Sequence, residues 1–300
     1  MKEGRLLVAG SGGFIGRHFL QGAAFARNIE VTSVGRAEEQ SARHIQMDCG
    51  DLERLGEIIE EVSPTHLINF SGNFAGDYET QFHYNVEVSR TILESACRLN
   101  HRPRVILIGS AAEYGLPEQC PLNESSPLNP VSDYGRTKLM QTALAESYQR
   151  SKNQQIEVIL ARLFNVLGRG ASESLLFGSL TKQITRLENG GVIQVGNLET
   201  KRDFVHVRDV IDSFDRLLTV ETPSPCYLVS GGRAISIQSL VTFLIEASGK
   251  RLTIETDPGR LKSHDVPSIY GSSELLFQDT GWLPQLSPEK ALEEMIGGRP

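Results

Sequence analysis

The stretch VSDYGRTKLM, residues 131–140, places Tyr134 four residues ahead of Lys138. On a helix that is about one turn, so the phenol and the ammonium project from one face, roughly 5–6 Å apart at Cβ. A phenol can give or take a proton, and an adjacent ammonium would lower its pKa from about 10. An ordinary amphipathic helix carries such pairs too. The pair therefore needs company elsewhere in the chain.

Company comes from two segments. LLVAGSGGFIG sets Gly10, Gly13 and Gly16 between a first strand and a helix. Glycines there allow a tight turn, close approach to a pyrophosphate and close helix–sheet packing, while the helix N-terminus presents N–H groups to phosphates. ILIGSAAEYG then delivers Ser110 to the carboxyl end of a later strand, the edge where open α/β sheets bind ligands. Ser110, Tyr134 and Lys138 could converge beside a nicotinamide. The hydroxyl would orient a carbonyl and the phenol would exchange its proton. Each residue has a plainer reading as a cap or core side chain.

Positioning such a set requires strand–helix alternation, and the first half has it. RLLVA (5–9), EVTSV (30–34), HLINF (66–70), RVILI (104–108) and IEVILA (156–161) read as buried parallel strands. FIGRHFLQGAAFA, DLERLGEIIEEV, YNVEVSRTILESACRL and YGRTKLMQTALAESYQRS read as helices between them. The pattern predicts an α/β fold, a doubly wound parallel Rossmann sheet with a smaller C-terminal substrate-binding domain. Residues 1–164 form the expected dinucleotide-binding domain, with returning segments near 204–230. Residues 165–300 are mainly the substrate side. There LLFGSLTKQITRL and SIQSLVTFLIEAS predict helices, and LTIETDPGRLKSHDVPSI reads as loop.

At the tip of the second strand SVGR offers Gly35 and Arg36 where an NAD site would carry an acid. A guanidinium pairs with a 2′-phosphate, so the expected cofactor is NADP; Glu38 or Glu39 could reach a ribose and keep NAD possible. Asp48 could accept from an adenine amino group or cap a turn. The candidate cofactor contacts are Gly10, Gly13, Phe14, Ile15, Gly16, Arg36, Asp48, Cys49, Phe70, Ser71, Tyr134 and Lys138.

The 300 residues carry a net charge of −7, which argues against a nucleic-acid partner. The opening residues have too short an apolar run for a signal peptide, and no stretch nears the roughly 20 apolar residues of a membrane span. Cys49, Cys97, Cys120 and Cys226 lie far apart without zinc spacing, so reduced thiols in the cytoplasm are expected and no metal site.

The ordered set of glycine turn, strand-end Ser and YxxxK resembles the extended short-chain dehydrogenase family, the NAD(P)-dependent nucleotide-sugar epimerases, dehydratases and reductases. The resemblance covers nearly the whole chain. It implies Tyr134 as acid/base, Lys138 as its ribose-binding partner and Ser110 as the carbonyl-orienting hydroxyl. ARLFNVLGRG resembles the family's Arg-x-Phe-Asn stretch, which implies Asn165 facing a sugar diphosphate. VGNLETKRDFVHVRDV implies Arg202, and DPGRL implies Arg260, as diphosphate ligands, with Lys182 as a further basic contact. His206 and Asp209 read as structural. Dehydratases of this kind carry an acid two positions before the Tyr of YG; here that position is Ala112, and Glu113 is aimed elsewhere. Where relatives read Gly-Pro-Gly-Gln, this chain reads Gly168-Arg169-Gly170-Ala171. The overall pattern is most similar to GDP-6-deoxy-4-keto-D-mannose reductases, which make GDP-D-rhamnose. The readings kept beside it are a nucleotide-sugar epimerase holding NAD tightly and a non-catalytic dinucleotide sensor. The family also implies a homodimer through helices 81–100 and 134–151.

Overall fold

A computed structural model describes residues 4–37, 43–150, 155–260 and 266–297, with the backbone alone for Arg260. The first half runs β1 (Arg5–Ala9), α1 (Phe14–Gly22), α2 (Ala24–Asn28), β2 (Glu30–Gly35), β3 (His44–Gln46), α3 (Leu52–Val62) and β4 (His66–Asn69). It continues through α4 (Tyr78–Phe82), a π-helical turn at His83–Glu87, α5 (Val88–Cys97), β5 (Arg104–Ser110), α6 (Asp133–Gln149) and β6 (Glu157–Leu163).

The second half runs β7 (Asn165–Leu167), α7 (Leu176–Arg186), β8 (Val192–Val195), β9 (Lys201–Arg202), β10 (Phe204–His206), α8 (Val207–Thr219) and β11 (Cys226–Val229). It ends with β12 (Ile235–Ser236), α9 (Ile237–Ala247), β13 (Thr253–Thr256), β14 (Ser268–Ile269), α10 (Glu274–Thr280) and α11 (Pro288–Gly297).

Seven strands make one sheet in the order β11-β6-β5-β4-β1-β2-β3, and every pairing in it is parallel. Both faces are covered, which is why its strands read as continuous apolar runs rather than alternating ones. Leu6 and Val8 point into a core with Phe19 of α1 and Phe214 of α8. Leu7 and Ala9 point the other way, against Leu55 of α3 and Ile92 of α5. A separate core gathers Phe177 and Leu180 of α7, Leu240 and Leu244 of α9, and Leu292 of α11. This is the doubly wound α/β architecture that the alternation predicts.

Three local expectations change. The helix expected from residue 14 breaks at Ala23, whose backbone is extended, because Asp215 of α8 accepts from Ala24 N and Phe25 N and starts α2 afresh. The helix expected over 81–100 is α4, the π turn and α5, the turn holding the buried Asn85. The segment expected to be loop past Leu252 contains β13, which pairs in parallel with β8, so main-chain pairing overrides its polar composition.

Candidate active site

Ser110 is the last residue of β5 and caps the 3-10 turn Ala111–Tyr114, its hydroxyl accepting from Ala112 N at 3.2 Å. Ser132 caps α6 in the same way, accepting from Gly135 N at 3.1 Å. The cap fixes where the helix begins, and so which side chains share a face. Gly135 then lets α6 press against the turn: a Cβ there would lie 2.5 Å from Ala112 O. That close approach sets the Tyr134 phenol beside the Ser110 hydroxyl, whose influence lowers its pKa.

The Lys138 ammonium lies 6.0 Å from the centroid of the Tyr134 ring. It donates to Ile108 O and to Gln141 Oε1, both at 2.9 Å, and Lys138 itself is 4% exposed. Burial pulls its pKa down to about 8, against the opposing pull of Glu113. Burial pushes the Tyr134 phenol up to about 12, with the Ser110 hydroxyl lowering it and Glu113 raising it. The phenol is therefore not lowered, as the Tyr–Lys spacing by itself suggests. Desolvation sets that direction, and the Lys138 ammonium points its hydrogens at Ile108 O and Gln141 Oε1.

Behind these residues lies a buried ion pair. Glu113 Oε2 accepts from Arg162 Nε at 2.9 Å and Glu113 Oε1 accepts from Ser110 N at 2.8 Å. Thr142 of α6 also donates to Glu113, and Arg162 lies 5.4 Å over the Tyr114 ring. Burial pushes the Glu113 carboxyl up, while Arg162, Thr142 and Ser110 N pull it back. Glu113 thus ties the end of β5 to β6 and α6.

The glycine turn sits opposite. Gly10 has φ of +73°, and a Cβ there would lie 2.4 Å from Ser71 N, so only glycine fits between β1 and the chain leaving β4. Gly13 is the exposed N-cap of α1, with no side-chain cap and no acid in the first turn. Phe14 and Ile15 follow half-buried, Gly16 is buried, and the buried Ser11 hydroxyl has no hydrogen-bond partner among the described residues. Uncapped N–H groups with a partial positive charge fit an anionic group such as a pyrophosphate.

The other sequence candidates divide. Arg36 is exposed at the tip of β2 and lies 3.8 Å from Asp48 Oδ2. Asp48 also accepts from Gly50 N and from the Tyr84 hydroxyl, both at 2.9 Å. Cys49 is buried beneath them and its thiol is pushed up to about 11 by burial. Glu38 and Glu39 lie outside the described residues. Ser71 is held by Asn69 at the glycine turn. Phe70 lies at that turn through its main chain, while its ring packs between Phe19 and Phe214, at 5.4 and 5.3 Å. Strand alternation explains this, since Phe70 shares a face with Ile68, which belongs to the same core.

On the second-half side, Asn165 is exposed and donates to Asp203 O at 2.8 Å. Asp203 is fully buried and accepts from Gly231 N, Gly232 N and Gly271 N at 2.6, 3.2 and 3.2 Å. Arg202 donates to the carbonyls of Lys201 and Val266, and Lys182 pairs with Glu173. These basic groups are held by separate partners rather than by one shared contact, and the Arg260 side chain lies outside the described residues. His206 Nδ1 accepts from Arg208 N and caps α8, while Asp209 Oδ2 accepts from Leu286 N. Both therefore make the kind of local contact that a structural role needs.

The sequence reading does not reach three site residues. Asn85 and Gln141 are buried polar side chains that fix neighbours of Tyr134 and Lys138, and Phe74 lies edge-on to the Tyr134 ring. Gln141 is one turn beyond Lys138, a spacing that could have flagged it. Asn85 carries no such local signal.

The pattern of the NAD dependent epimerase/dehydratase family matches residues 6–227. The chain belongs to this family. Members are NAD(P)-dependent enzymes of nucleotide-sugar chemistry. A GDP-6-deoxy-D-mannose reductase of Pseudomonas aeruginosa is 25% identical over 302 residues, covering 97% of this chain and 96% of that one. A UDP-glucose 4-epimerase of Azospirillum brasilense is 25% identical over 336 residues, covering 98% and 94%. The solved structure of RMD from Pseudomonas aeruginosa, complexed with NADPH, aligns with TM-score 0.83 at 23% identity, covering 98% of both chains. At that identity the likeness speaks for the fold. Among the described residues no cluster of metal-ligating side chains occurs, and no helix is long and apolar enough to cross a membrane.

Proposed function

We propose that this family member reduces the 4-keto group of a nucleotide-linked 4-keto-6-deoxy sugar with NADPH, in the manner of a GDP-6-deoxy-4-keto-D-mannose reductase forming GDP-D-rhamnose. The observation that carries this reading is the place of the Tyr134 phenol, at the carboxyl edge of the sheet beside Ser110 and Lys138. Gly10, Gly13, Gly16 and the start of α1 would hold the cofactor's pyrophosphate, and Arg36 its 2′-phosphate. NADPH, when bound, supplies the hydride. Ser110 orients the ketone oxygen. Tyr134 gives that oxygen its proton, for which a phenol near 12 is in the right state at neutral pH. The charge of Lys138 supports the phenolate left behind. Asn165, Lys182, Arg202 and Arg260 are the proposed contacts to the sugar diphosphate. Exposed Tyr78 and Met140, which touch through the Tyr78 hydroxyl and the Met140 sulfur, support a homodimer through α4–α5 and α6. Four free thiols support the cytoplasm as compartment.

The experiment is incubation of purified protein and NADPH with GDP- and dTDP-4-keto-6-deoxy sugars, following NADPH absorbance and identifying the product. Tyr134→Phe should lose turnover by about 10²–10⁴-fold with cofactor binding retained. Lys138 is charged below about 8 and neutral above it, so kcat should fall as pH rises through that value. No NADPH oxidation with any sugar removes the reductase reading. The likeness to a UDP-glucose 4-epimerase favours one second reading, a redox-neutral epimerase. It would interconvert sugar epimers without net NADPH loss.

A further inference from the structure

Phe74 is 41% exposed, yet it is not a stray surface ring. Its ring centroid lies 6.4 Å from that of Tyr134, edge to face at 80°. The chain carrying it is fixed by buried polar contacts. Asn85, fully buried in the π turn, accepts from Asn73 N at 2.8 Å and donates to Asn73 O at 2.7 Å. The same Asn85 amide donates to Thr137 Oγ1 of α6 at 2.9 Å. Asn73 Oδ1 in turn accepts from Ala75 N at 2.8 Å, closing a turn around Phe74. One clamp therefore fixes the loop to the helix that carries Tyr134 and Lys138.

Single exposed apolar residues are common and need no account. A buried clamp that holds one beside the proton donor is different, because the wall keeps its place before a ligand arrives. The ring presents apolar carbon and no hydrogen-bond partner. A substituent packed there keeps its solvation cost low only if it is apolar.

We propose that Phe74 is a specificity-determining residue that reads the carbon substituent next to the reacting carbonyl and favours a methyl over a hydroxymethyl group. The inference rests on the ketoreductase reading and deepens it by naming the residue that selects 6-deoxyhexoses. Asn85 acts through Asn73 as a positioning residue for this wall.

The test uses the full chain in the oxidative direction, with NADP⁺ and two nucleotide-linked hexoses of the same base and configuration. One is 6-deoxy and the other carries the 6-hydroxyl. Wild type should favour the 6-deoxy sugar in kcat/KM by about 10-fold or more, the scale of discrimination that one small substituent allows. Phe74→Ser should bring the ratio close to unity, mainly through KM of the 6-deoxy sugar, at unchanged melting temperature. Phe74→Leu should restore most of it. A wild-type ratio in Phe74→Ser, or a Phe74→Leu that behaves as Ser does, overturns the proposal. If wild type oxidises neither sugar, the NADPH assay with the keto sugars still decides the ketoreductase reading, and equilibrium binding of the same two sugars decides the role of Phe74. An affinity ratio that collapses in Phe74→Ser keeps the specificity role, and an unchanged ratio or no binding of either sugar overturns it.

Discussion

The two sides of the candidate cleft are built differently. On the β5–α6 side, Ser110, Tyr134 and Lys138 stand on buried polar groups: Glu113 with Arg162, Gln141, and Asn85 with Thr137. On the β7–β10 side, Asn165 is exposed, Lys182 is paired at the surface and Arg202 is tied to main-chain carbonyls, with the buried Asp203 as an anchor. The difference teaches where precision is spent. Proton transfer needs groups fixed within fractions of an ångström, and buried hydrogen-bonded networks supply that rigidity. The diphosphate contact proposed for the second side asks less of position: its cations must exchange their present partners for phosphate oxygens.

The comparison can be broken at its strongest point first. Glu113→Gln leaves the Arg162 guanidinium buried and unpaired, so unfolding free energy should fall by about 3–5 kcal/mol. Adding Arg162→Met should recover a large part of that loss in urea titrations, since the two residues share one interaction. A small loss for the single variant would mean that the β5–α6 side is no more rigid than its partner. Next comes Asp203→Asn, which turns one carboxylate oxygen into an NH2 donor facing one or two of the three glycine N–H groups and should cost about 1–3 kcal/mol. It should also raise substrate KM more than it lowers kcat, because it loosens Asn165 and leaves Tyr134 alone. The smallest effect is expected for Lys182→Ala. Its stability change should stay within about 0.5 kcal/mol, as for surface substitutions generally. A rise in KM at constant kcat would sharpen the assignment of Lys182 to diphosphate binding.

Much of this arrangement is legible in the chain. Apolar runs announce the buried strands, and the Tyr134–Lys138 spacing announces a shared helical face. Gly10 announces a turn that other residues could not make, a requirement borne out by its positive φ. What is hidden comes from residues distant in sequence. Asn85 and Asn73 are twelve apart, Glu113 and Arg162 forty-nine, and no local period links either pair. The direction of the Tyr134 shift is hidden for the same reason. Spacing reveals the ammonium nearby but not the desolvation that raises the phenol.

Sequence by itself determined the parallel sheet, the glycine turn at its edge and the order in which Ser110, Tyr134 and Lys138 arrive there. These follow from local geometry: helix and strand periods, and the backbone freedom of glycine. Tertiary structure alone decided that Phe70 turns into the core, that Phe74 stands against the phenol, and that Glu113 is held by Arg162. Those outcomes depend on which buried polar groups find partners across the fold, since a buried group left without one is costly.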